Sequence, residues 1–152
     1  MKTIKISNNS TNEFPKFVHE GDSGFDLRAY ITDGDGTITL KPLERKLIHT
    51  GLYVDIPKDT ELQIRPRSGC ALKQGLSICN TPGTVDSCYT GELGIIAINL
   101  SKEQIVIRNG DRIAQAVLCP VFNSFDVNLI EVESICKDTT RGKNGFNSTG
   151  LS

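Results

Sequence analysis

The chain has 152 residues, a length that fits one domain able to bury most of its apolar surface. With 38% hydrophobic and 23% charged residues, it has the composition of an ordinary globular protein, which excludes wholesale disorder. The net charge of -1 argues against nucleic acid or a membrane as partner, because neither would find a general basic surface.

The five cysteines are odd in number and widely spaced, and two histidines accompany them. This pattern is not typical of a zinc site or a disulfide framework, so we expect buried or half-buried thiols in a reducing compartment. Residues 1–6 alternate like a strand and contain no apolar run of the kind found in secretory leaders. The sequence therefore predicts a cytoplasmic location.

Short segments of alternating apolar and polar residues follow one another along the chain, as in all-β proteins. Strands are predicted at 3–6, 25–29, 37–40, 46–57 (a pair interrupted at Gly51), 61–65, 93–100, 104–108, 111–118 and 126–132. One short helix is predicted, with Ser68 as its N-cap and Gly75 just beyond its end. Asn109-Gly110 is typical of a hairpin turn. Together these segments predict an all-β barrel or sandwich.

Two features that could suggest metal or catalytic chemistry have simpler interpretations. The acidic loop at 32–36 lacks the later acidic ligand of a calcium-binding loop, so we interpret it as a turn. His49 has no acid, base or cysteine near it in the sequence, so we interpret it as structural.

Residues 80–92 have the pattern of a tight β-hairpin, with Pro82-Gly83 at its start. The segment contains one carboxylate, Asp86, followed three residues later by the aromatic Tyr89. Taken alone, Asp86 is better explained as an aspartate that hydrogen-bonds its own turn. A functional interpretation therefore depends on other segments.

Three further segments combine a turn of small residues with an arginine or a hydroxyl side chain: residues 66–69, 110–115 and 141–150. Such turns bind phosphate because their unpaired N–H groups point at the anion, and arginine adds a forked, permanently charged donor. Each segment taken alone is better explained as a plain turn. The last one contains Phe146 as a lone aromatic among glycines and hydroxyls, suited to stack on a base.

Five segments resemble, in order and spacing, the five motifs of the trimeric dUTPase family (deoxyuridine triphosphate nucleotidohydrolases). They are SGFDLRA at 23–29, PRSGCA at 66–71, GTVDSCYTGE at 83–92, GDRIAQ at 110–115 and RGKNGFNSTG at 141–150. Five ordered motifs are far more specific than one. The resemblance implies a jelly-roll-like β-barrel over residues 1–137, a flexible C-terminal arm over 138–152, and a homotrimer whose active sites lie between subunits.

The resemblance also implies a reaction, in which dUTP and water give dUMP and pyrophosphate with the help of Mg²⁺. By position, Asp86 is expected to be the general base that orients the water, and Tyr89 to pack on the deoxyribose. The backbone around Asn80 and Gly83 is expected to read the uracil edge. Asp26 is expected to hold Mg²⁺ through water molecules. The remaining substrate-binding residues implied are Arg67, Ser68, Gly69, Gln115, Arg141, Phe146, Ser148 and Thr149.

Four residues depart from the family pattern: Cys70, Cys88, Thr90 and Asn147. We expect the first three to adjust packing, affinity or subunit contacts. Asn147 replaces a glycine beside Phe146, where Asn tolerates positive φ better than other non-glycine residues.

Two alternatives to a dUTPase remain open from the sequence. A dCTP deaminase of related fold is expected to have a second serine after Ser68, where Gly69 stands, and a catalytic glutamate in the hairpin region. A non-catalytic relative would use the fold to bind a regulatory partner. A generic β-sandwich binding module would explain the strands but not five motifs together.

Overall fold

The computed structural model describes residues 1–135, 139, 140 and 142. Within these ranges lie ten strands and one helix: β1 (Lys5–Asn8), β2 (Gly24–Arg28), β3 (Thr37–Leu40), β4 (Arg45–Asp55), β5 (Thr60–Pro66), α1 (Ser68–Gln74), β6 (Leu76–Ile78), β7 (Gly83–Val85), β8 (Glu92–Asn99), β9 (Ile105–Arg108) and β10 (Arg112–Pro120). The antiparallel sheets have the orders β1-β4-β8-β6, β2-β10-β5-β7 and β3-β9. The predicted all-β architecture with one short helix is confirmed.

The core is a single apolar cluster to which strands of all three sheets contribute. In β2, the alternation predicted from the sequence is present: Phe25 and Leu27 are buried, and Asp26 and Arg28 lie half-buried on the opposite face. Each fully buried Leu or Ile side chain contributes about 1.5–3 kcal/mol to folding. The apolar face of β2 therefore anchors the strand, which leaves Asp26 pointing away from the core.

The pair of strands predicted at 46–57 is a single strand, β4, that bulges at Gly51. Its pairing with β8 shifts register between His49 and Tyr53. Gly51 has φ +67°, and a Cβ there would lie 2.8 Å from Cβ of Ser10. A glycine in the left-handed region lets the strand bulge without ending it, and in the sequence such a glycine resembles an interruption between two strands.

Two predicted hairpins join strands that do not pair with each other. Within residues 80–92, β7 pairs with β5, whereas the following β8 pairs with β4 and β6 in a different sheet. Asn109-Gly110 connects β9 to β10, which also lie in different sheets. Local sequence encodes a turn, but the pairing partner is decided by which apolar face must be buried.

The helix α1 begins one residue earlier than predicted and ends as predicted. Arg67 is the N-cap, with an extended backbone (φ -86°, ψ 131°) and no side-chain capping bond, so Ser68 is the first helical residue rather than the cap. Gly75 is the C-cap at φ 71° and donates its N–H to the carbonyl of Ala71. No helix in the described ranges is long and apolar enough to cross a membrane.

The strand predicted at 126–132 is not formed. After β10, residues 121–135 contain a turn but no strand pairing. Their large apolar side chains are exposed: Phe122, Phe125, Val127, Leu129, Ile130, Val132 and Ile135. A strand-like sequence forms a strand only against a sheet edge, and the described chain does not supply one to this segment.

Candidate active site

Asp26 lies at the centre of a charged cluster formed by β2, β10 and the start of α1. Nε of Arg67 donates to Oδ1 of Asp26 at 2.7 Å, and Nη1 of Arg112 donates to Oδ2 at 3.2 Å. Nη1 of Arg67 also donates to the backbone carbonyl of Arg112 at 3.2 Å. The Asp26 carboxylate therefore orients two guanidinium groups, each of which keeps further N–H donors for an anion.

Gln115 faces the same cluster because β10 pairs with β2 and places it opposite Asp26. Its side-chain amide donates to the carbonyl of Pro66 at 2.9 Å, and Gln115 lines a cavity together with Asp26, Arg67 and Arg112. That cavity has a volume of about 330 Å³. Ser68 and Gly69 follow Arg67 directly and are exposed. The structure thus brings Asp26, Arg67 and Gln115 together, as the resemblance implied.

Arg112 also belongs to this cluster, although no role is predicted for it from the sequence. Strict alternation along β10 places Arg112 and Gln115, three residues apart, on opposite faces. The register shifts between Arg112 and Ala114, and this bulge returns the arginine to the face of Gln115. The consecutive apolar pair Ile113-Ala114, both buried, is the sequence signal that could have indicated the bulge.

The hairpin segment (residues 80–91) carries a second group of predicted site residues. Gly83 is buried against β5, where a Cβ would lie 3.3 Å from both Nδ2 of Asn80 and Cβ of Ile64. Tyr89 is 46% exposed, and its hydroxyl donates to the carbonyl of Glu92 at 2.9 Å. The segment therefore packs tightly at Gly83 and presents the Tyr89 ring to solvent.

Asp86 does not hydrogen-bond its own turn through its side chain. The turn is closed by the backbone, with the N–H of Tyr89 donating to the carbonyl of Asp86 at 3.0 Å. The Asp86 carboxylate is exposed and has no hydrogen-bond partner among the described residues. The simpler interpretation of this aspartate as a turn residue is therefore not what the structure shows.

The two groups line different cavities of the same chain. Asp86 lines a cavity of about 480 Å³ together with Cys88 and the segment around Phe122. None of the residues lining that cavity lines either of the two cavities that Asp26 borders. Within one chain, the structure does not bring Asp86 to the arginine cluster. The predicted site residues Arg141, Phe146, Ser148 and Thr149 lie outside the described residues.

His49 contacts an acid that is distant in the sequence. Its Nδ1 lies 2.9 Å from Oε2 of Glu92, 43 residues away, which sequence proximity could not indicate. Partial burial alone would raise the pKa of Glu92. Hydrogen bonds from the N–H of Gly51, the His49 ring and the N–H of Thr50 outweigh it and hold that pKa below its ordinary value.

The sequence model of the dUTPase family matches residues 11–150. The chain belongs to the dUTPase family. A relative from Clostridium novyi (strain NT), named deoxyuridine 5'-triphosphate nucleotidohydrolase, is 48% identical over 153 residues, covering 99% of this chain and 100% of the relative. One of the same name from Finegoldia magna is 49% identical over 147 residues, covering 97% and 98%. The family and the enzyme class expected from the five motifs are confirmed.

Solved dUTPase structures share the fold. The dUTPase of Staphylococcus bacteriophage 80alpha with dUPNHPP superposes with a TM-score of 0.79 at 27% identity, covering 98% of this chain and 99% of that one. A mutant dUTPase of phage phi11 of S. aureus, which coordinates a structural Mg(II) ion, gives a TM-score of 0.75 at 26% identity, covering 88% and 98%. The jelly-roll-like fold expected from the resemblance is confirmed.

The cysteines of this dUTPase-family chain are more exposed than predicted. Cys70 and Cys119 are half-buried, whereas Cys79 and Cys88 are exposed, so the expectation of burial is wrong for the latter pair. These four thiols are free, and Cys136 lies outside the described residues. The Sγ of Cys70 lies 3.7 Å from Nη1 of Arg67, so this departure from the family pattern contacts the arginine cluster.

Proposed function

We propose that this chain hydrolyses dUTP to dUMP and pyrophosphate by attack of water on the α-phosphorus. One observation carries the proposal: a dUTPase-family chain presents both an aspartate–arginine cluster and, in a separate cavity, the unpaired carboxylate of Asp86. Phosphoryl substitution needs positioning and charge neutralisation more than covalent chemistry. The aspartate–arginine cluster can supply charge neutralisation, and Asp86 can position the attacking water.

The triphosphate binds at the Asp26 cluster. Arg67 and Arg112 neutralise its charge and donate forked hydrogen bonds, while Asp26 keeps both guanidinium groups oriented. Gln115, Ser68 and Gly69 add amide, hydroxyl and backbone donors beside them. The pairing of Asp26 with two arginines before substrate arrives lowers the cost of ordering those side chains.

The hairpin segment binds the nucleoside and orients the water. The carboxylate of Asp86 is free to accept a hydrogen bond from the attacking water and to take its proton. Tyr89 packs on the deoxyribose, where its ring leaves no space for a 2′-hydroxyl. The backbone around Asn80 and Gly83 hydrogen-bonds the uracil edge, and the close contact of Gly83 with Ile64 supports a rigid, narrow base pocket.

A Mg²⁺ ion fits the Asp26 cluster as an outer-sphere partner. Both Asp26 oxygens already accept from arginines, but each keeps a lone pair that can accept from a metal-bound water. Among the described residues, no cluster of three or more His, Cys, Asp or Glu could hold a metal by itself, which suits an ion carried mainly by substrate phosphates. When bound, Mg²⁺ supplies charge neutralisation of the triphosphate.

The active form is a homotrimer in which the hairpin segment of one subunit completes the phosphate cluster of another. Two observations support this arrangement. Asp86 and the arginine cluster line separate cavities of one chain, and residues 121–135 expose apolar side chains of the kind that subunit contacts bury. Arg141, Phe146, Ser148 and Thr149 are proposed to close over the bound nucleotide. The free thiols at the surface support a reducing, cytoplasmic setting.

The test is pyrophosphate release with Mg²⁺ from dUTP, dCTP, dTTP and UTP in parallel. The expected result is release from dUTP at a rate at least about 100-fold above the other three. Cytosine would leave groups that pair with the uracil edge unpaired, whereas the methyl of thymine and the 2′-hydroxyl of UTP would clash with the narrow base pocket and the Tyr89 ring. Pyrophosphate and ammonia from dCTP would instead indicate the deaminase alternative. A folded chain silent on all four nucleotides would refute the proposed reaction.

A further inference from the structure

The carboxylate of Glu92 lies where the hairpin segment joins β8, and it closes the bulge of β4. Its Oε1 accepts hydrogen bonds from the backbone N–H groups of Gly51 at 2.7 Å and Thr50 at 3.1 Å. Its Oε2 lies 2.9 Å from Nδ1 of His49. The register shift takes these backbone N–H groups out of the β4–β8 ladder, so the carboxylate supplies acceptors that the β8 backbone cannot.

The surroundings of this carboxylate are well ordered by other contacts. The Thr50 side chain is 1% exposed and donates from Oγ1 to the carbonyl of Leu93 at 2.7 Å. The carbonyl of Gly51 accepts from the N–H of Asn9 at 2.8 Å. These contacts hold the bulge in place on the β4 side. Because Glu92 is the first residue of β8 and its carboxylate binds the bulge, the start of β8 is held in place as well.

Tyr89 depends on the same residue from the other direction. Its hydroxyl donates to the backbone carbonyl of Glu92 at 2.9 Å. Its ring lies against Gly91, where an added Cβ would collide with the Tyr89 hydroxyl. The position of the ring therefore depends on the backbone at the start of β8, and the Glu92 side chain links that backbone to β4.

We propose that Glu92 is a positioning residue that sets the discrimination between deoxyribose and ribose nucleotides. This inference rests on the proposed function, in which Tyr89 packs on the sugar. Without the carboxylate, the N–H groups of Thr50 and Gly51 lose their acceptor, the bulge rearranges, and the carbonyl that holds the Tyr89 hydroxyl moves. A displaced ring admits a 2′-hydroxyl, whereas the Asp26 cluster, on other strands, stays intact.

The test compares Glu92→Ala and Glu92→Gln in the full chain, measuring kcat/KM for dUTP and for UTP. We expect Glu92→Ala to lower the dUTP-to-UTP ratio by about 10- to 100-fold, the scale of a misplaced contact group. Glu92→Gln is expected to keep most of the ratio, since its amide oxygen can still accept from Gly51 and Thr50.

Glu44→Ala is the matched control. Its Oε2 accepts a hydrogen bond from the backbone N–H of Lys41 at 2.7 Å, so Glu44, like Glu92, binds a backbone N–H group through its carboxylate. Glu44 lies just before β4 and contacts the last residue of β8, Asn99, at the end of that strand far from the hairpin segment. This variant is expected to lower stability and leave the ratio unchanged. A wild-type ratio in Glu92→Ala, or an equal fall in Glu44→Ala, would overturn the proposal.

Amide hydrogen exchange without nucleotide gives a readout independent of activity. Glu92→Ala is expected to speed exchange at Thr50 and Gly51 and also across residues 86–91, with no such change in Glu44→Ala. Faster exchange confined to Thr50 and Gly51 would overturn the link to the hairpin. A wild-type chain silent on dUTP would refute the proposed function, while this measurement would still decide whether Glu92 holds the hairpin segment. Tyr89→Ala with an unchanged ratio would refute the sugar role of Tyr89 and the discrimination built on it.

Discussion

At the scale of single residues, two aspartates of the candidate site differ in what their carboxylates contact. Asp26 is held between Arg67 and Arg112 and is 25% exposed. Asp86 has an exposed carboxylate without a hydrogen-bond partner among the described residues. The Asp26 carboxylate is therefore occupied by two guanidinium groups, whereas the Asp86 carboxylate is available to bind a water molecule. We propose that the same residue type serves two purposes because its neighbours differ.

Asp86→Asn tests this division. The amide has nearly the shape of the carboxylate but cannot take a proton from water, so kcat for dUTP is expected to fall about 10²- to 10⁴-fold with little change in KM. Steady-state pyrophosphate release measures both quantities. Asp35→Asn is the control, because the Asp35 carboxylate bonds Thr37 in a turn that lines neither site cavity. A wild-type kcat in Asp86→Asn would exclude it as the base.

At the scale of elements, bulges in β4 and β10 create side-chain contacts that regular strands would not allow. The bulge in β10 turns Arg112 toward Asp26. The bulge in β4 frees N–H groups that the Glu92 carboxylate binds. In each case the extra residues of the bulge redirect polar groups that a regular ladder would have placed elsewhere, and bulges are common near functional centres.

Gly51→Ala tests the need for the β4 bulge geometry. Alanine at φ +67° costs about 1–3 kcal/mol of backbone strain, and its Cβ would also meet Ser10 at 2.8 Å. We therefore expect a larger loss of unfolding free energy than in Gly34→Ala, where φ is +60° but nothing lies within 4 Å. Urea denaturation at one protein concentration measures both variants. Equal losses would contradict close packing at Gly51.

At the scale of the whole molecule, the predicted site is divided. The Asp26 cluster and Asp86 line different cavities, and the apolar side chains of residues 121–135 have no core to enter within the described chain. Further copies of the chain would explain both features, because a second subunit can bring its Asp86 to the Asp26 cluster and can cover the apolar side chains of residues 121–135. These incomplete surfaces of the single subunit support the proposed trimer.

Leu129→Asp tests the trimer. Leu129 is 91% exposed in the single chain, where a polar substitution is expected to change stability by less than about 0.5 kcal/mol. If a second subunit covers it, the charge will weaken association and activity together. Light scattering and dUTP hydrolysis across protein concentrations measure the two. Leu43→Asn, at an exposed turn position of φ +61°, is the control. A monomeric wild type with full activity would refute the trimer.

Much of the fold could be predicted because alternation and turn residues are local signals. The inward face of β2, the strand β3 and the C-cap at Gly75 are where the pattern predicted them. Of the candidate site, the cluster of Asp26, Arg67 and Gln115 was expected from the motifs and is brought together by the pairing of β10 with β2 and β5. Arg112 was missed, because a bulge in β10 breaks the alternation on which the prediction relied.

The family, the all-β class and the core-facing side chains of most strands could be predicted before the fold was known, because they follow from motif order and period-two alternation. The tertiary structure alone decided the pairing of β7 with β5, the contact of Glu92 with the β4 bulge, and the absence of a strand at 126–132. These depend on partners distant in the chain. Sequence patterns report which face of an element is apolar, whereas the choice of partner is made by the whole core.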